Sequence, residues 1–362
     1  MKALFTPAII IMNRMTYPVK FVVLNLIVII PLCTLTWSLT STINHGIEIL
    51  EYERVGLKYI RSVRPLLESI PKHRGMTNAF LKGNSQFESK IISLRKKVDS
   101  QLTRLSETDE TFRQKLLTTD RIKTIRQDWA EIKKQSMDLS PAASFARHSE
   151  LIESLIDLLA HIGNTSRIAL DPEMDSYNLG NILLQQLPLL TDNVGRSRGL
   201  ASGIAAAEKF TPEEFVQLSI LMDRMQNNAK AMSTNLQFAL EANPDIESRL
   251  ISVSAANMKS IRTYIGMLER DMIKPESIAV DSNTIFSTGT RAIESSFKFY
   301  DTVLPELDAL FVERIKSDTL TRNIEILVTF IVILALSYLF TGLNISVNQS
   351  VRQVGAATQQ LA

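Results

Sequence analysis

The stretch Phe21–Leu39, FVVLNLIVIIPLCTLTWSL, carries no Asp, Glu, Lys, Arg or His, and Ile326–Leu343, ILVTFIVILALSYLFTGL, repeats that composition near the other end of the chain. Each is about the length that crosses ~30 Å of hydrocarbon as a helix. The residues between them are too charged to enter a bilayer. The layout predicted is therefore a transmembrane helix at 21–39, an outer domain at 40–323, a second transmembrane helix at 324–343, and both ends on the inner side. Orientation follows from charge: Lys2, Arg14 and Lys20 precede the first run, and no acidic residue occurs before Glu48. Basic flanks stay in the cytoplasm, so residues 1–20 are expected inside, as are 344–362 after the second crossing. The first run exceeds the short apolar core of a cleaved signal peptide and ends at Trp37, an interfacial anchor, so it is read as retained.

Composition narrows the outer domain. A formal charge of +2 over 362 residues shows no bias toward nucleic acid. The one cysteine, Cys33, lies in the first apolar run, which leaves the outer domain without a disulfide; an apolar core must hold it. Apolar residues recur at three and four, as in Leu151, Leu155, Leu158 and Ile162 or Leu218, Leu221, Met222 and Met225. That is the period of amphipathic helices, and no alternating pair joined by a hairpin turn occurs. The fold class predicted is all-α.

Helix limits can be read locally. Thr211-Pro212-Glu213-Glu214 is a capping box with proline in the first turn, and Ser140-Pro141 offers a similar start. Breaks are predicted at Lys82-Gly83-Asn84, Leu170-Asp171-Pro172, Ala242-Asn243-Pro244 and Lys274-Pro275. The segments between them suit two four-helix bundles, expected to be stacked one beyond the other. A weak internal echo supports two modules: Pro65-Leu66-Leu67 leads into Arg74-Gly75, and Pro188-Leu189-Leu190 leads into Arg198-Gly199.

Several segments together resemble a group of bacterial methyl-accepting chemotaxis proteins: Leu4-Phe5-Thr6-Pro7, Met12-Asn13-Arg14-Met15, Tyr17-Pro18-Val19-Lys20-Phe21, Gly56-Leu57-Lys58-Tyr59, His73-Arg74-Gly75, Leu170-Asp171-Pro172 with Asp175-Ser176-Tyr177, and Leu187-Pro188-Leu189 before Arg198-Gly199-Leu200. The likeness runs to about Glu241. It implies a receptor in the bacterial inner membrane with a periplasmic sensor, a HAMP linker and a cytoplasmic signalling part. The sensor is similar, more loosely, to nitrate- and nitrite-sensing and helical bimodular domains. Val347, Val351, Val354, Thr358 and Leu361 form a coiled-coil seam, which resembles the first HAMP helix, although the usual proline near its start is missing and the chain ends before a second helix. A homodimer is expected, because such a seam needs a partner helix.

Candidate chemistry is sparse. Arginine suits a small oxyanion, since its planar fork offers paired donors and keeps its charge when partly buried. Arg74 and Arg198, with His73 and Arg196 beside them, are the candidate ligand-binding residues. The plainer reading makes each arginine half of an ion pair, Arg74 with Glu68 or Arg198 with Asp192. Asp171, Glu173 and Asp175 lack the calcium-loop spacing and its glycine and read as helix-capping acids. The four histidines, His45, His73, His148 and His161, form no zinc pattern. No metal, cofactor or catalytic residue is expected, and the chain is read as not an enzyme. The resemblance implies a chemoreceptor for a small periplasmic solute or a loaded periplasmic binding protein, acting on a cytoplasmic chemotaxis kinase and its adaptor. The sensor half of a histidine kinase or diguanylate cyclase, and a non-sensing membrane scaffold, are the alternatives.

Overall fold

The computed structural model describes residues 2–361, and every regular element among them is helical. In order they are α1 (Lys2–Asn13), α2 (Tyr17–Leu81), α3 (Glu88–Leu116), α4 (Thr119–Gln135), α5 (Pro141–Thr165), α6 (Met174–Asn181), α7 (Leu187–Ala207), α8 (Pro212–Ala242), α9 (Glu247–Leu268) and α10 (Ser282–Leu361). A π-helical turn, Ile182–Gln186, joins α6 to α7 without a break, and another, Glu269–Ile273, closes α9. The chain divides into two compact units, residues 1–50 with 313–362, and residues 51–312.

The first unit contains the apolar parts of α2 and α10. These helices are long and apolar enough to cross a membrane, with windows of mean hydropathy 2.2 and 2.5 that are not buried within the protein. Their outward side chains, such as Ile27, Ile30, Leu327 and Ile331, would meet water at a large hydrophobic cost and suit lipid instead. Within this unit Thr36 Oγ1 lies 3.0 Å from Thr329 Oγ1, and Arg322 donates to Asn44 Oδ1 at 2.7 Å. Val351 and Val354 of the seam are exposed; the side chain of Leu361 and residue Ala362 fall outside the described residues.

The second unit is two antiparallel four-helix groups, α2–α5 and α6/α7–α10. Local signals place most helix ends as expected. Ser140 accepts from the amide of Ala143, Thr211 and Glu214 complete their reciprocal capping box, and Gly83 takes φ 103° where α2 stops. The turn between α3 and α4 was not foreseen. Leu117 adopts φ 53° there, at a cost of about 1 kcal/mol for a side-chain-bearing residue. Thr118 helps to hold this turn by donating to buried Asp109, which also accepts from Tyr59 at 2.7 Å.

The groups lie side by side, a correction to the expected stacking. Arg54 meets Asp308 at 2.7 Å, Arg64 meets Asp301 at 2.7 Å, and Arg74 meets Asp192 at 2.9 Å. Those contacts join the two groups along ~30 Å of α2, at 1.5 Å per residue. The reason lies in α2 itself. Tyr59 and Ile60 are both buried, as are Leu66 and Leu67. Neighbours in sequence sit about 100° apart on a helix, so α2 is covered on more than one face.

Candidate functional site

Arg74 and Arg198 come together where the two groups meet, α2 carrying one and α7 the other. Arg74 is 2% exposed and reaches across from α2. Its Nη1 donates to Ser149 Oγ at 3.0 Å, its Nη2 lies 2.9 Å from Asp192 Oδ1, and its guanidinium sits 4.7 Å from the ring centre of Phe145. Asp192 is 8% exposed and accepts a second bond from Arg196 Nε at 2.6 Å; Arg196 in turn donates to Glu153 at the rim at 2.7 Å. The carboxylate that Arg74 finds is thus Asp192 and not Glu68, which is held by Arg64 and Lys72.

Arg198 is 9% exposed. Its Nη1 donates to Thr290 Oγ1 at 2.7 Å and its guanidinium lies 4.4 Å from the ring centre of Phe286, both on α10. No carboxylate comes within ion-pair distance of it among the described residues, and its buried Nε has no hydrogen-bond partner. The pairing of Arg198 with Asp192 that the sequence suggested is therefore absent; Asp192 serves Arg74 and Arg196. Two glycines mark how tight the place is. A Cβ on Gly195 would stand 3.3 Å from Arg74 Nη2, and one on Gly289 would stand 3.0 Å from both Arg198 Cγ and Tyr264 Cε2. A Cβ on Gly75 would stand 3.7 Å from Arg198 Nη2, which puts the tip of Arg198 over the residue next to Arg74. Behind it, Tyr264 and Ser197 hydrogen-bond at 3.1 Å.

Burial lowers the proton affinity of both guanidiniums; Asp192 opposes this at Arg74, whereas at Arg198 the neighbouring charge of Arg74 adds to it. Both nevertheless remain cations at neutral pH, as arginine does in proteins. A buried cation with no counter-charge and an orphaned N–H costs several kcal/mol. The arrangement can therefore bind an anion: it already holds the donors and the unbalanced charge that an oxyanion would satisfy.

The other two candidates stand elsewhere. Arg196 is at the rim, spent on Asp192 and Glu153. His73 points away from Arg74 into the α2–α5 group, edge-on to Trp129 at 5.1 Å. Its Nδ1 lies 2.7 Å from His148 Nε2, and His148 Nδ1 lies 2.6 Å from the carbonyl of Ser144. Since a carbonyl can only accept, His148 donates there from Nδ1 and accepts from His73 at Nε2; His73 Nε2 then accepts from Arg95 Nε at 3.3 Å. Both rings are held neutral. Burial, helped by the nearby charge of Arg95 and, at His148, of Arg74, pushes His73 down to about 3 and His148 down to about 4. Sequence reasoning did not find Ser149, Phe145, Tyr264, Phe286 or Thr290, whose residue types carry no signal of their own.

No curated relative matches the chain by sequence. In structure it is similar to the NasR transcription antiterminator, with a TM-score of 0.58 over 82% of this chain and 80% of that one, at 15% identity. The domain described as nitrate and nitrite sensing matches residues 65–330, a span that includes both buried arginines. The chain belongs to the nitrate and nitrite sensing family.

Proposed function

We propose that this protein is a membrane receptor that binds nitrate or nitrite between Arg74 and Arg198 and transmits occupancy along α2 and α10. The observation that carries the reading is Arg198, a buried guanidinium with an orphaned Nε and no carboxylate. Nitrate and nitrite are small, planar and singly charged, and a guanidinium fork can meet two of their oxygens at once. The rings of Phe145 and Phe286 stack against the two guanidiniums and support their charge.

Transmission follows from where the donors are mounted. Arg74 is on α2, which begins at Tyr17, and Thr290, the partner of Arg198, is on α10, which runs to Leu361. An anion that draws Arg198 toward Arg74 competes with Thr290 for the same guanidinium and so biases α10 between two positions. Ligand shifts that equilibrium only by its preference for one position, typically ~1–3 kcal/mol. The apolar spans are read as crossing the bacterial inner membrane with residues 40–323 in the periplasm. The seam from Val347, exposed at Val351 and Val354, is read as the start of a HAMP-type coiled coil in a homodimer. Output to a chemotaxis kinase is the first reading of what lies further on. The likeness to an antiterminator favours keeping a second, in which the same sensor drives a different output.

Calorimetric titration of the purified chain in nanodiscs tests the ligand. Saturable binding of nitrate or nitrite that Arg198→Gln removes supports the reading; heats indistinguishable from dilution for both anions overturn it.

A further inference from the structure

Resting on the anion reading above, we infer that Asp192 sets the charge of the ligand, restricting the site to singly charged anions. The charges enclosed where the groups meet make this concrete. Arg74 and Arg198 contribute two buried positive charges; Arg196 and Glu153 pair at the rim, where water screens both; the buried Asp192 offsets one of those two charges. Glu294 on α10 also faces Arg198, but it is exposed and screened. One positive charge is left, on a buried guanidinium whose polar partner is the neutral Thr290 hydroxyl. A singly charged oxyanion neutralises it. A doubly charged one would leave a net negative charge buried beside the Asp192 carboxylate, which Arg74 and Arg196 already share.

Shape alone would not make this distinction, because oxyanions of equal geometry exist in both charges. Chlorate and sulfite are both pyramidal, with one and two negative charges. Asp192→Asn keeps the size and one acceptor oxygen while removing the negative charge; of Arg74 and Arg196, which use different carboxylate oxygens, one then faces the amide NH2.

Titrate the full chain in nanodiscs with nitrate, chlorate and sulfite, at a pH where sulfite is fully ionised. The wild type is expected to bind chlorate at least ~10-fold more tightly than sulfite, and D192N to move that ratio at least ~10-fold toward sulfite, from the coupling typical of close buried charges. Glu153→Gln, which removes an exposed charge, is expected to leave the ratio within about threefold, in line with the small worth of exposed pairs. A D192N ratio equal to that of the wild type, or an E153Q ratio that moves as far as that of D192N, overturns the assignment. Should D192N fail to fold, the wild-type ratio decides, and equal binding of the two anions overturns it. A pocket too small for the pyramidal pair is tested with nitrate against carbonate, planar and alike in shape, at alkaline pH. Absence of nitrate binding in the wild type strikes the sensing reading instead, so the two failures are distinguishable.

Discussion

Arg64 and Arg198 occupy the same kind of seat where the two helical groups meet, and they are treated in opposite ways. Each guanidinium lies over a phenylalanine of α10, Phe297 at 4.2 Å and Phe286 at 4.4 Å. Arg64 is met by two carboxylates, Asp301 at 2.7–2.8 Å and Glu68 at 2.7 Å. Arg198 is met by one hydroxyl. With the aromatic support alike, the difference is in counter-charge: the first seat is complete within the chain and fastens α2 to α10, while the second is left one anion short. A residue of the same type thus fastens at one level and, in the proposed function, receives at another.

The sharpest way to break this contrast is to remove each arginine. Arg198→Gln is expected to weaken nitrate binding by ~100-fold or more, from the loss of a buried charge-assisted contact, while the ligand-free protein melts no lower than the wild type, since an uncompensated cation has gone. An unchanged affinity in calorimetry would end the contrast. Ligand-linked stability is next in size. At nitrate concentrations about 100 times Kd the linkage is ~2.7 kcal/mol, which for a domain of this size raises Tm by about 5–10 °C. Differential scanning should record that rise in the wild type and none in R198Q.

Acid offers a control that leaves Arg64 and Arg198 untouched, although the Arg74 charge reaches His148. His73 and His148 are neutral when folded, with values depressed from 6.5 to about 3 and about 4. The unfolded chain therefore binds more protons below pH 6.5, and stability is expected to fall as pH drops through 6.5 toward 4, by roughly 1.4 kcal/mol per pH unit for each ring. A thermal-melt series should show the slope in the wild type and a flattened one in a His73→Gln/His148→Gln variant. The smallest effect belongs to Arg64→Gln. Its pairs are partly solvated, with Asp301 55% exposed, so a loss of about 1 kcal/mol is expected, read as a lower Tm with nitrate affinity unchanged.

Periodicity and capping chemistry made the helices, most of their ends and the apolar spans legible in the sequence. The echo between Arg74-Gly75 and Arg198-Gly199 marked two residues that share one place in the fold. Lateral order was not legible in the same way. A heptad-like stripe says that a face is buried without saying which helix covers it, and the doubled burial of α2 at Tyr59–Ile60 distinguishes packing side by side from stacking only once its partners are known. Leu117 carried no turn signal, because leucine rarely accepts a positive φ. His73 looked like a companion of Arg74, yet adjacent helical residues diverge by about 100°, and that angle sends one into the α2–α5 interior and the other across to α7. Asp192 had Arg196 one helical turn away and Arg198 six residues on, out of step with a helical pair, and it took Arg196 along with Arg74 from another helix.

The π-helical turn Ile182–Gln186 sits just upstream of Asp192 and Arg198 on one unbroken rod. Such a turn is a one-residue insertion into regular helix. Its wide winding absorbs the extra residue, so deleting one there would leave Asp192 and Arg198 near their present phase, whereas deleting Leu189 from the regular helix just beyond would turn both by about 100°, swinging Arg198 off α10 and Asp192 off Arg74 while every side chain of the site survived. The receptor's sense of its anion is therefore also a matter of phase, set by residue count before any polar group is reached.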